Sequence, residues 1–151
     1  MSAQEPILEP MVDRILLVTA EPWARNALSL LRQCPGKLEM THAIDGAQGL
    51  YYMSQSIYAG NPYQLLILTA PLTKMRAEAT IAAFRAIEKG LNRPPYPCLL
   101  CTPHEAPQGL LASYPQTLHL QVPDGPQASS MVTAAALQIL YQLRRFEEVA
   151  Q

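Results

Sequence analysis

The chain has 151 residues, 49% of them apolar and 15% charged, with a net charge of −1. That composition suits one globular domain with a full core and excludes a disordered chain. The near-zero charge removes any general pull towards nucleic acid or an anionic membrane, so direct DNA binding by this chain alone is not expected.

No stretch reaches the roughly 20 apolar residues of a membrane-spanning helix. Met1 to Pro10 lacks the basic start and apolar block of a secretory signal. A cytoplasmic protein is expected. Cys34, Cys98 and Cys101 make an odd number, which argues against a disulfide framework. Cys98 and Cys101 have redox spacing, but they sit in an apolar run that reads as a strand. Residues three apart on a strand point to opposite faces, so both read as ordinary buried thiols.

Residues 1–12 read as a loose N-terminal tail. Arg14 to Thr19 is a short apolar run typical of a strand covered on both faces. Pro22 suits the first turn of a helix whose apolar face is Trp23, Ala27, Leu30 and Leu31, and Cys34-Pro-Gly36 ends it. Residues 37–43 form a second strand. Asp45 and Gln48 have capping-box spacing for a second helix that runs to about Tyr58, where Gly60-Asn-Pro62 stops it. Gln64 to Thr69 is the third strand. Ala77, Ile81, Phe84 and Ile87 give residues 76–89 helical spacing, with Gly90 as C-cap. Pro94, Pro95 and Pro97 deliver the chain to a fourth strand over 97–102. Thr102 and Glu105 have the spacing of a second capping box, opening a short helix to about Ser113. Residues 117–122 form a fifth strand, and Pro126 opens a final helix running to the chain end. Five strands alternating with five helices predict an α/β fold: a doubly wound, five-stranded parallel sheet between two helical layers.

This order resembles the receiver domain of bacterial two-component response regulators, a (βα)5 flavodoxin-like sandwich, over roughly residues 13–140. The matching pieces are Ile15-Leu-Leu-Val-Thr-Ala-Glu-Pro22, Ala43-Ile-Asp-Gly-Ala-Gln-Gly-Leu50, Tyr63 to Leu72, Pro97-Cys-Leu-Leu-Cys-Thr102, and Val122-Pro123. The resemblance implies a phospho-accepting aspartate at the end of strand three, where this chain has Thr69. It implies an acidic pair for Mg²⁺ after strand one, where Thr19 and Ala20 stand and only the adjacent Glu21 is acidic. It implies a base before Pro123, where Val122 stands. The hydroxyl position at the end of strand four is kept as Thr102, and the aromatic switch position holds His119.

Mg²⁺ takes hard oxygen ligands, usually carboxylates with phosphate. Thr19, Ala20 and Thr69 cannot supply that charge, and Val122 cannot neutralise a phosphoryl dianion. The chain therefore reads as a degenerate receiver that works without phosphorylation, with no catalytic residue, no metal and no cofactor. Thr102 also reads as a simple helix cap, Glu21 as a solvated first-turn acid and His119 as a partly buried edge residue. His42, His104 and His119 show no metal-ligand spacing.

Function is then expected on a binding surface. Val132, Ala136, Ile139, Leu143, Phe146 and Ala150 recur at alternating steps of four and three, which is heptad spacing. A final helix longer than the sheet needs would project residues 141–151 as an extension, with Ile139, Leu143 and Phe146 at an interface. The partner would be another protein or a second copy. The prolines around strands four and five would stiffen loops bordering that face. The alternative reading is a small-molecule-binding flavodoxin-like domain, possibly an enzyme, using the hydroxyl-rich strand ends. No glycine-rich nucleotide loop or Ser/His/Asp set supports it.

Overall fold

The strands are β1 (Asp13–Val18), β2 (Leu38–Ala43), β3 (Leu65–Thr69), β4 (Cys98–Thr102) and β5 (Thr117–Gln121). The helices are α1 (Ala24–Arg32), α2 (Gly46–Tyr58), α3 (Ala77–Gly90) and α4 (Gln127–Ala150). They come from a computed structural model that describes residues 13–33, 38–105, 116–123 and 127–150, with side chains at all of these except residues 25, 28 and 144–150. The expected N-terminal tail, the Cys34-Pro-Gly36 stop, Pro126 and the short helix after Thr102 lie outside the described residues.

All strands pair in parallel in the order β2-β1-β3-β4-β5. The apolar runs Ile15 to Val18 and Leu65 to Leu68 are fully buried, as central strands covered on both faces should be. On one face Ile15, Leu17, Leu65, Ile67, Leu99 and Cys101 pack against α1 and α4. On the other, Leu16, Val18, Leu66, Leu68, Cys98 and Leu100 pack against α2 and α3. The two cysteines thus belong to opposite cores, as their spacing on a strand requires. Burial pushes both thiols up to about 12. Their stabilising contribution is complete below pH 9, the thiol's ordinary value, and is lost as pH rises towards 12. Cys98→Ala is expected to flatten the fall in denaturation midpoint over that range. An unchanged pH profile would contradict it.

Side-chain capping fixes the start of α2. Asp45 Oδ1 accepts from Gln48 N at 2.8 Å, while Gln48 Oε1 accepts from Ile44 N at 2.8 Å, one residue earlier than a standard box. Three expectations are corrected. Helix α1 begins at Ala24, after a turn closed by Ala24 N donating to Glu21 O at 3.1 Å, so Pro22 precedes it. Leu30 is exposed because Ala24, Ala27 and Leu31 face the sheet. Gly90 is the last residue of α3, and the left-handed turn that ends the helix falls on Asn92 at φ 56°, a residue type that tolerates that region.

Candidate functional site

The strand order reverses between β1 and β3, and in open α/β sheets the crevice at such a reversal is the default ligand position. Its floor here is two threonines. Thr69 donates its hydroxyl to Thr19 Oγ1 at 2.6 Å, and Glu21 N donates to the same oxygen at 3.0 Å. Both side chains are buried. His42 reaches over from β2 with Nε2 3.2 Å from the Thr19 carbonyl, which fixes that nitrogen as the donor. Thr19 Oγ1 therefore accepts from both the Thr69 hydroxyl and the loop backbone.

On the Thr19 side a cavity of about 530 Å³ is lined by Thr19, Ala20, Glu21, Pro22, His42 and Ile44. On the Thr69 side a cavity of about 10 Å³ is lined by Glu21, Trp23, Thr69, Cys101, Thr102 and Val122. The smaller has room for about one water. Ala20 is exposed and Glu21 half-buried. Among the described residues no group of three or more His, Cys, Asp or Glu side chains could hold a metal ion. Asp45 sits one loop away, but its carboxylate is committed to capping α2. Lys74, which sequence reasoning passed over, stands 3.9 Å from that carboxylate on an exposed side chain. With the lysine side chain 75% exposed, the pair contributes little at this distance.

The helix expected after the next strand end lies outside the described residues, and the contacts made there are those of Thr102 itself. Its hydroxyl donates to the His104 carbonyl, and His119 Nε2 lies 2.6 Å from the same oxygen. With the hydroxyl proton spent, His119 must present Nε2–H to Thr102. Thr102 thus ties β4 to β5. Val122 is buried, and its N–H donates to the Thr102 carbonyl at 2.7 Å. The structure therefore brings together Thr19, Glu21, Thr69, Thr102 and Val122 at one rim, with His119 behind Thr102.

The expected interface residues are placed differently. Ile139 is buried in the core under α4, and Leu143 packs against that core. The apolar stripe of the last helix is taken up by the domain's own sheet, because a heptad-like spacing serves equally well for a helix lying on a sheet. The Phe146 side chain is outside the described set.

No protein-family model matches the chain, and no curated protein matches it in sequence. Solved structures do match in shape. The phosphorylated cyanobacterial phytochrome response regulator RcpA superposes with a TM-score of 0.67 at 17% identity, over 83% of this chain and 91% of that one. The fold is that of the response-regulator receivers. The Mn²⁺-bound form of response regulator Rcp1 gives a TM-score of 0.64 at 20% identity, over 81% and 90%. Chemotaxis response regulator CheY4 of Vibrio cholerae gives 0.59 at 19%, over 89% and 98%. The five-stranded sheet and its reversal point are shared with this receiver fold. At its carboxyl rim this chain presents Thr19, Ala20, Thr69 and Val122 where the resemblance implies charge, and keeps the hydroxyl position as Thr102.

Proposed function

We propose that this chain is a receiver-fold module of bacterial two-component signalling that binds protein partners without being phosphorylated on aspartate. The hydrogen bond from Thr69 to Thr19 carries this reading. It puts two neutral, hydrogen-bonded hydroxyls at the position where a phosphoryl switch needs a carboxylate acceptor and a metal. The neighbours in fold include a phosphorylated protein, RcpA, and a Mn²⁺-bound one, Rcp1. Here neither a divalent ion nor a phosphoryl group finds its charge partners at Thr19, Ala20, Thr69 or Val122. The reading assigns no enzymatic activity and no cofactor. The larger rim cavity, at about 530 Å³, is lined by an acid, Glu21, and by no Lys or Arg, and no glycine-rich loop borders it, which weighs against the alternative of a flavin- or nucleotide-binding domain. No helix among the described residues is long and apolar enough to cross a membrane.

The direct test incubates the protein with acetyl phosphate and Mg²⁺ and records the intact mass. An unchanged mass is expected. An adduct released by hydroxylamine, the mark of an acyl phosphate, would overturn the reading.

The partner face we assign is the α4/β5 side, now centred on other residues. Leu118 is paired with Leu99, so it shares the face that α4 covers, yet it is 52% exposed. Tyr141 on α4 is 62% exposed. Replacing both with serine is expected to shift a dimer towards monomer in solution mass, with little change in thermal midpoint. A wild-type protein that is monomeric at all concentrations, with no partner lost in the variant, would remove this face. Ile139→Asp, by contrast, is expected to unfold the domain, since it places a charge in the core.

A further inference from the structure

At the opposite end of the sheet from the threonine rim lies an open groove of about 820 Å³ between α2 and the β2 edge. Sequence reasoning gave it no role. Its lining includes Tyr51, Tyr52, Tyr58 and Tyr63, together with Gln55 and Arg14. Tyr51 is 58% and Tyr58 87% exposed, unusual for two aromatic residues on one helix face. They are seven residues apart, so they stand on the same side of α2 about 10 Å from one another. The Tyr51 and Tyr52 rings meet edge to face at 5.8 Å. Tyr63 is buried at the foot of the groove beneath the Arg14 guanidinium, 4.6 Å from its ring centroid.

Arg14 is the one charged residue in this lining among the described residues. It is held in place: Nη1 donates to the Asn61 carbonyl, and Nε donates to Glu39 Oε2 at 3.1 Å. The Arg14 side chain is 17% exposed and that of Glu39 62%, and the guanidinium, with five N–H groups, keeps donors beyond those that Glu39 and Asn61 use. The groove therefore offers aromatic faces, a fixed cation and hydroxyl donors. Gln55 Nε2 donates to Tyr51 Oη at 2.7 Å, which leaves the Tyr51 O–H to donate outwards.

We propose that this groove binds an extended, proline-rich segment of a partner protein that carries a carboxylate. Proline rings stack on tyrosine faces, and such a chain brings carbonyl acceptors with few N–H donors of its own to satisfy. The spacing of Tyr51 and Tyr58 matches about three residues of polyproline helix at ~3.1 Å each. The carboxylate pairs with Arg14. A planar ring ligand would be better served by an enclosed slot than by an open channel along a helix. The site is independent of the rim chemistry and stands whether or not Thr69 is ever modified.

The test titrates the full chain with a proline-rich heptapeptide carrying a central glutamate, followed by amide spectra. A matched peptide with a central lysine, a glycine-serine peptide with the same glutamate, and adenosine monophosphate are run beside it. Saturable shifts are expected at Tyr51, Tyr52, Gln55, Tyr58 and Asn61, with affinity at least ~10-fold weaker in the Tyr51→Ala, Tyr58→Ala double variant. Both tyrosines are exposed, so the variant keeps its fold, which unchanged shifts elsewhere verify. The lysine and glycine-serine peptides are expected to bind at least ~10-fold more weakly. Absence of shifts at about 1 mM peptide, equal binding by the double variant, or equal binding of any comparison ligand would each overturn the proposal.

Discussion

Glu88→Ala is expected to lower the stability of the domain by about 3–5 kcal/mol, the usual cost of stranding one member of a buried ion pair. Glu88 is a carboxylate at the foot of α3 with a side chain only 2% exposed, and Arg85 beside it is 9% exposed. Arg85 Nη1 donates to Glu88 Oε1 at 2.7 Å. The other carboxylate oxygen accepts from the Tyr96 backbone N–H, which positions the segment leading into β4. Arg85 Nη2 donates to the Gln116 carbonyl at 3.2 Å and to Thr117 Oγ1 at 3.3 Å, at the start of β5. One pair therefore joins α3 to the beginnings of two strands. Alanine at position 88 leaves a buried guanidinium facing one carbonyl and one hydroxyl with no counter-charge. Chemical denaturation measures the loss. A cost under about 1 kcal/mol would mean that water reaches the pair. The double variant Glu88→Leu, Arg85→Met is expected to recover most of the loss, because removing both charges spares their desolvation.

Gly46→Ala is the second large effect, a net loss of about 2–3 kcal/mol from overpacking. A Cβ at this position would lie 2.3 Å from Thr80 Oγ1 and 2.5 Å from the Met75 carbonyl oxygen. Thr80 cannot simply rotate away, since its hydroxyl donates to the Arg76 carbonyl at 2.9 Å. The helical preference of alanine returns at most about 1 kcal/mol. Gly49→Ala is expected to cost less: its Cβ would come within 2.7 Å of Val18 Cγ2, a contact with side chain rather than backbone. Gly90→Ala is the control, with nothing within 4 Å of its Cβ, and gains up to about 1 kcal/mol. Thermal midpoints ranked Gly90→Ala, wild type, Gly49→Ala, Gly46→Ala from highest to lowest are the expected result. A Gly46→Ala midpoint at or above that of Gly49→Ala would contradict the packing account.

The fold was legible because its signals are local. The apolar runs at Ile15 and Leu65 are too short for helices and too continuous for half-exposed strands, so they belong in the middle of a parallel sheet, where the structure puts them. Asp45 and Gln48 announce a helix start through side-chain chemistry confined to residues 44–48. The rim was legible too, because Thr19 and Thr69 each close an apolar run. What was not legible depends on tertiary packing. The stripe through Ile139 has the same spacing whether it meets a partner or the domain's own sheet, and only the sheet's position decides. Arg85 and Glu88 look like an ordinary exposed pair three residues apart until β4 and β5 close over them. The tyrosine groove joins Arg14 from β1, Tyr51 and Tyr58 from α2 and Tyr63 from the loop before β3, a grouping that no single stretch of sequence displays. The Gly90 expectation failed for a smaller reason: Asn92 also tolerates a left-handed turn, and α3 continued one residue longer.

The central claim is that the rim of this receiver fold holds too little negative charge to seat a divalent cation with a phosphoryl group. It is tested most directly by amide spectra recorded with Mg²⁺ and then with Mg²⁺ plus beryllofluoride, a phosphoryl mimic. The account predicts no saturable shift at Glu21, Thr69 or Thr102 in either titration. Shifts at those three residues that saturate with beryllofluoride and require Mg²⁺ would contradict it.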